Sequence, residues 1–249
     1  MVDVVEQAGD GAFEVPEGLD SVELKLTVPE GRGTEVAHAL GVDPLDAQIR
    51  QIYFFDTPAL ELNAAGVVLR ARRIQAAEHD CVVKLRPIEP AGVGPAWRKR
   101  DDMTIELDVV KGKSVCSASL KAVRRPERIL EALRGEKPIR KLFTKDQRAF
   151  LAAHSRFEVP WDDVVALGPI FVLKLKRVPD GFPRKVAVEL WRYPDNSIVV
   201  ELSTRATPDE ALEVGMKARE LVESLGLRVE GEQTTKTQKA LRYFARAHQ

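Results

Sequence analysis

Residues 67–86 read Val67-Val68-Leu69-Arg70-Ala71-Arg72-Arg73-Ile74-Gln75-Ala76-Ala77-Glu78-His79-Asp80-Cys81-Val82-Val83-Lys84-Leu85-Arg86. Two runs, Val67–Arg73 and Cys81–Arg86, alternate apolar with basic residues, and a polar stretch around Gln75 to Asp80 joins them. Residues two apart in an extended chain share a face. Leu69 and Ala71 therefore oppose Arg70 and Arg72, and Val83 and Leu85 oppose Lys84 and Arg86. The period is that of two strands joined as a hairpin, each with one apolar and one cationic side.

The same period recurs on either side. Val22–Val28 sets Val22, Leu24 and Leu26 against Glu23 and Lys25, and Gln48–Asp56 is rich in β-branched and aromatic residues. Arg98–Val110 alternates throughout, giving a ladder of Arg98, Arg100, Asp102, Thr104, Glu106 and Asp108. Ile170–Val178 carries Lys174 and Lys176, Lys185–Tyr193 carries Glu189, and Ser197–Thr204 carries Glu201, with Pro-Asp-Gly and Pro-Asp-Asn turns between them. Helical spacing is expected at Thr34–Leu40, from about Ser117 to His154, from Pro208 to Leu225 and over Thr235–Ala247. Residues 1–18 read as a flexible tail. The expected organisation is one α+β domain over 19–249, with about eight strands and a helical insert at about 117–160.

Two readings account for the charged faces. One-sided antiparallel sheets normally expose their polar face to water. Alternatively, eight strands close into a barrel with a lumen wide enough for side chains or one small ligand. The lumen would then gather Lys25, Arg70, Arg72, Lys84, Arg86, Arg98, Arg100, Lys174 and Lys176 against Glu23, Asp102, Glu106, Asp108, Glu189 and Glu201. Such charges are costly when packed without a partner, and a compact anion with its metal ion would satisfy them.

Composition narrows the function. Lys+Arg and Asp+Glu are equal at 38 each, so the chain lacks the positive surplus of a duplex-coating protein. No apolar run reaches the 18 or so residues of a membrane span, and the N-terminus lacks the basic and apolar regions of a secretory signal, so a cytoplasmic protein is expected. The two cysteines, Cys81 and Cys116, read as reduced and structural, and the four histidines are too scattered for a zinc site.

The stretch Tyr53-Phe54-Phe55-Asp56-Thr57-Pro58, then Leu60, Leu62 and Gly66-Val67-Val68-Leu69-Arg70-Ala71-Arg72, resembles the signature of the CYTH superfamily, the triphosphate tunnel metalloenzymes. Val22-Glu23-Leu24-Lys25 is similar to the end of that family's opening Glu-x-Glu-x-Lys strand, Val83-Lys84-Leu85-Arg86 to a later one, and Lys236 to a lysine before its last helix. The match runs in order over about residues 20–245. It implies an eight-stranded antiparallel β-barrel, covered by helices, that hydrolyses a triphosphate with Mg²⁺ or Mn²⁺. A minority branch cyclises ATP to cyclic AMP. On this resemblance Lys25, Arg70, Arg72, Lys84, Arg86, Arg100, Lys174, Lys176 and Lys236 bind phosphate, and Glu23, Glu189 and Glu201 hold the metal. Lys25, Glu23 and Glu201 are the catalytic set. The expected partner is a small triphosphate, with no nucleic acid duplex and no membrane; a homodimer is left open.

The pattern departs from the family in its acids. Ser21 stands where the leading glutamate would be, and Ala187 and Val199 stand two residues before Glu189 and Glu201, where many members carry further carboxylates. A non-catalytic binder of polyphosphates or nucleotides is therefore the alternative to a hydrolase. Trp191 and Tyr193 read as packing residues rather than a stacking platform, and Val115–Leu120 as a helix entry. Lys121, Arg124, Arg125 and Arg128 read as a solvated helix face, with a partner patch as the alternative.

Overall fold

The structure is a computed structural model that describes residues 15–110, 113–227 and 236–247. Most of the expected tail and Thr235 lie outside the described residues; Val15, near the tail's end, packs against the core. The strands are β1 (Ser21–Thr27), β2 (Gln48–Asp56), β3 (Val67–Ile74), β4 (His79–Leu85), β5 (Met103–Val110), β6 (Lys113–Arg124), β7 (Val165–Arg177), β8 (Val186–Arg192) and β9 (Ile198–Ala206). They form a closed barrel in the order β1-β5-β6-β4-β3-β2-β7-β8-β9. The helices are α1 (Gly33–Ala39), α2 (Glu61–Ala64), α3 (Pro95–Arg98), α4 (Pro126–Leu133), α5 (Lys145–His154), α6 (Ala211–Ser224) and α7 (Lys236–Ala247). The expected α+β barrel is therefore present.

Three details differ from the sequence reading. There are nine strands rather than eight among the described residues, because β6 occupies what reads as a helix entry at Ser117. Its Ser/Ala-rich chain has little strand propensity of its own. Pairing with β4, from His79↔Arg124 to Leu85↔Ala118, decides its conformation. The helical insert accordingly begins at Pro126. Second, β1 and β5 pair in parallel, so the barrel is mixed. Third, the ladder from Arg98 is interrupted. Pro95 opens the short helix α3 behind Gly94, a turn follows, and β5 starts only at Met103. Arg98, Arg100 and Asp102 thus leave the strand, while Thr104, Glu106 and Asp108 remain on it.

The described residues divide into two compact units. The first comprises the described parts of Met1–Gln48, Ile105–Cys116 and Val172–Lys236. Helix α6 turns Ala211, Val214, Ala218 and Val222 inward at helical spacing, and these pack in one core with Val22, Leu24 and Leu26 of β1, Val186 and Val188 of β8, and Leu202 of β9. Each buried Leu or Val side chain contributes about 1.5–3 kcal/mol by leaving water. Since strand side chains alternate, burying this face under α6 turns Glu23, Lys25, Glu189 and Glu201 to the other. Asp20 fixes where the face begins: its backbone N–H donates to Ile105 O at 2.8 Å, and its Oδ2 accepts from Ile105 N at 2.6 Å.

The second unit comprises the described parts of Ile49–Thr104, Ser117–Phe171 and Thr237–Gln249. Its helix α5 starts at a capping box, with Thr144 Oγ1 accepting from Gln147 N at 2.9 Å and Gln147 Oε1 accepting from Thr144 N at 3.0 Å. The same buried Gln147 donates through Nε2 to Cys81 O of β4 at 3.1 Å and Leu120 O of β6 at 2.9 Å. The Asp56-Thr57 pair that marks the family resemblance builds a turn. Asp56 Oδ1 accepts from Thr57 N (2.8 Å) and Leu62 N (2.9 Å), Oδ2 from Asn63 N (3.0 Å), and Thr57 Oγ1 from Glu61 N (3.1 Å). Gly66 follows with φ +78°, and a side-chain carbon there would lie 2.2 Å from Arg86 O, so only glycine fits.

Candidate functional site

The polar face of the first unit carries two acidic groups. The first is Glu23 on β1 with Glu106 and Asp108 on β5, one carboxylate oxygen of each lying within 4.8 Å of the others. The parallel register makes this cluster, setting Glu23 beside Asp108 and Ser21 beside Glu106. Lys25 Nζ lies 2.5 Å from Asp108 Oδ1 and 2.9 Å from Glu23 Oε2. Arg205 Nη2 donates to Glu106 Oε2 at 3.0 Å, and its Nε stands 3.5 Å from Glu23 Oε1. Burial opposes ionisation of Glu23, but Lys25 and Arg205 outweigh it and hold its carboxyl below the usual range. Burial likewise pulls against the Lys25 charge, and Glu23 and Asp108 more than offset it, raising its pKa.

The second group is Glu189 on β8 directly opposite Glu201 on β9. Lys236, the first residue of α7, reaches both: its Nζ is 2.6 Å from Glu201 Oε1 and pairs with Glu189 Oε2. Lys174 Nζ lies 2.5 Å from Glu189 Oε1, and Trp191 Nε1 donates to Glu189 Oε2 at 3.0 Å. Burial would raise the Glu189 pKa, yet Lys236 and Lys174 drive it well below the ordinary value. Trp191 and Tyr193 are buried, each 1% exposed, as the packing reading expects; the Tyr193 hydroxyl donates to Lys236 O at 3.1 Å.

The expected metal set is thus distributed over two places. Glu201 has Thr27 as its β1 register partner, four residues from Glu23, which is roughly 13 Å along a strand. Glu23 stands instead with Glu106 and Asp108. Among the other expected phosphate ligands, Lys176 is exposed. Arg70, Arg72 and Lys84 are half-buried on β3 and β4 in the second unit, with Arg86 just beyond β4. Arg72 makes a bidentate pair with Asp80, Nε–Oδ1 2.8 Å and Nη2–Oδ2 2.6 Å. Arg100, off its expected strand, is bound to Asp102 (2.8 Å) and Asp146 (3.0 Å).

Four contributors escaped the sequence reading as site residues. Glu106 and Asp108 were visible only as part of a charge ladder. Arg205 lies one residue past the expected end of β9, although the period Glu201, Ser203, Arg205 continues to it. Asp80 reads as a turn residue but belongs to β4, on the same face as Lys84. Chemically, three clustered carboxylates offer the all-oxygen donor set that a hard divalent cation such as Mg²⁺ or Mn²⁺ prefers. Ammonium and guanidinium groups beside them suit phosphate oxygens.

No family model and no curated protein matches the sequence. Solved structures do match in fold. A protein from Hippeastrum, designated an adenylyl cyclase and described as having a dominant triphosphatase activity, aligns with TM-score 0.62 at 16% identity, covering 89% of this chain and 94% of that one. A protein from Bacillus halodurans, designated an adenylate cyclase, aligns with TM-score 0.62 at 13% identity, covering 89% and 97%. The chain shares its fold with these two proteins over most of its length. Among the described residues no helix is long and apolar enough to cross a membrane.

Proposed function

We propose that this chain hydrolyses a triphosphate compound with the help of Mg²⁺ or Mn²⁺, inorganic triphosphate first and a nucleoside or thiamine triphosphate next. The observation that carries the reading is the Glu23, Glu106 and Asp108 triad with Lys25 and Arg205 against it. Glu23, Glu106 and Asp108 are the residues to hold the ion. When bound, the ion supplies neutralisation of phosphate charge and acidification of a coordinated water. Lys25, paired with Asp108 and Glu23 beside that centre, would bind a phosphate oxygen. Lys174 and Lys236 bind further phosphate oxygens, and Glu189 and Glu201, expected as metal ligands, act by positioning these two ammonium groups. Arg70, Arg72, Lys84 and Arg86 are assigned phosphate binding on their charge and the sequence resemblance. Arg100 and Lys176 are not. The triphosphatase activity described for the Hippeastrum protein supports the reading by analogy of fold.

A second reading is favoured by one observation: each carboxylate of this face is already matched by lysine or arginine, with Ser21 in place of an acid. Such a face could grip an oligophosphate without turning it over. A phosphate-release screen over inorganic, nucleoside and thiamine triphosphates, with Mg²⁺ and with Mn²⁺, separates the two. Metal-dependent release supports the hydrolase. Binding without release supports the non-catalytic module, and cyclic AMP from ATP would place the chain with the cyclases.

A further inference from the structure

The second unit holds a pocket of about 400 Å³ whose charged lining is entirely basic. Arg124, at the end of β6, and Arg128, in α4, form one side, while Lys141, Lys145 and Arg148 come from the approach to α5 and its first turns. Arg124 and Arg128 read in the sequence as a solvated helix face, but the fold makes them the wall of a concavity.

Two of its guanidinium groups are fixed in place. Arg124 Nε donates to Leu142 O at 2.6 Å, and Arg148 Nη1 donates to Phe143 O at 2.6 Å and Arg140 O at 3.0 Å. These partners are neutral carbonyls, so both arginines keep their full charge toward the pocket. Of the nearby acids, Asp146 pairs with Arg100 at 3.0 Å, outside the lining, and Glu131 stands 3.5 Å from the lining Arg128, offsetting part of its charge alone. Lys141 and Lys145 are exposed. The positive end of the α5 dipole, behind the Thr144 cap, adds to the same field.

We infer that this pocket is a second anion site, distinct from the acid-lined face, and that it takes a small oligophosphate recognised through its phosphate groups. The volume lies in the range of about 300–1,000 Å³ usual for small-molecule sites. Fixed guanidinium forks suit phosphate oxygens bidentately. Phe143 also lines the pocket, but it is 1% exposed and its ring is engaged by Phe55 and Trp161, both at 5.7 Å between centroids. It offers no open face on which a base could stack, so the ligand is held by its phosphates alone.

The test is calorimetric titration of the full chain with inorganic triphosphate and with diphosphate, free of divalent metal, at about 0.15 M salt, where exposed long-range attraction is largely screened. Lys141→Ala/Lys145→Ala removes two exposed charges and leaves the anchored arginines and the fold intact. It should weaken one class of binding site about tenfold or more, with melting temperature and phosphate release unchanged. The same class should survive in Lys236→Ala, which alters only the acid-lined face. Lys137→Ala/Arg156→Ala removes equal charge outside the pocket and should leave binding as in the unaltered chain. An unchanged isotherm for Lys141→Ala/Lys145→Ala, or equal weakening by the two double variants, would overturn the assignment.

Discussion

Glu189 and Glu201 face each other across the β8–β9 ladder, and the Lys236 ammonium pairs with both. Like charges directly opposite destabilise a sheet, and the cation that the start of α7 delivers to both carboxylates offsets this, with Lys174 adding a second cation on Glu189. Removing one partner of a buried ion cluster typically costs about 3–5 kcal/mol. Lys236→Met should therefore lower unfolding stability by about that amount in a urea titration, and Lys236→Arg should recover most of it. An unchanged midpoint for Lys236→Met would show that the two glutamates tolerate each other.

The same cluster sets a pH dependence. The Glu189 pKa is depressed in the folded chain by Lys236 and Lys174, and the Lys236 pKa is raised by Glu189 and Glu201 against burial. Between its folded and unfolded values Glu189 binds more protons in the unfolded state, so stability rises with pH there. Its contribution is complete above the unfolded value, about 4.3, and is lost as pH falls through the folded one. The Lys236 contribution is complete below about 10.4 and is lost as pH rises through its raised value. Thermal melts from pH 2 to 7 should show a steep acid loss in the unaltered chain and a shallower one in Glu189→Gln. Parallel curves would contradict the assignment.

Gln147 is a purely structural counterpart. Its amide caps its own helix and satisfies two strand carbonyls, Cys81 O and Leu120 O. Gln147→Leu leaves both carbonyls buried without that donor and should cost about 2–6 kcal/mol at about 1–3 kcal/mol per orphaned group. Chemical denaturation measures it, and a loss below about 1 kcal/mol would mean that the strands re-satisfy themselves.

Much of this was legible in the sequence because period-two alternation survives tertiary context. The β2 and β3 strands, the Arg70/Arg72 and Lys84 faces, the Thr144 cap and the long helix ending at Gly226 all follow from local pattern. The losses share a physical cause. Strand β6 owes its conformation to β4, not to its own Ser-Ala chain, and the ladder from Arg98 was broken by Pro95, whose preference for a first helical turn overrode the alternation. The metal-type triad was hidden because it depends on the parallel register of β1 with β5, which no local pattern encodes. Conversely, the motif that carries the family resemblance most specifically, Asp56-Thr57-Pro58, builds a turn, with the Asp56 carboxylate accepting from three backbone N–H groups.

Ser21 offers a gain-of-function test. It shares the face of Glu23 and is the register partner of Glu106. Ser21→Glu adds a fourth carboxylate to the triad and should tighten Mn²⁺ binding severalfold, since affinity for hard cations rises with ligand charge. Titration calorimetry with Mn²⁺ reads it directly, and weaker or equal binding would place the ion elsewhere.

On the proposed function, turnover depends on an ion held by Glu23, Glu106 and Asp108. The most direct measurement is the rate of phosphate release from inorganic triphosphate against Mn²⁺ concentration, for the unaltered chain and for Glu106→Gln. Gln keeps the size and the hydrogen bond to Arg205 but removes the negative ligand. Release should depend on the metal in the unaltered chain. For Glu106→Gln the midpoint should lie at least about tenfold higher in Mn²⁺, as expected for a loss of about 1.4 kcal/mol or more of binding free energy. Superimposable metal titrations of the two proteins would contradict this assignment.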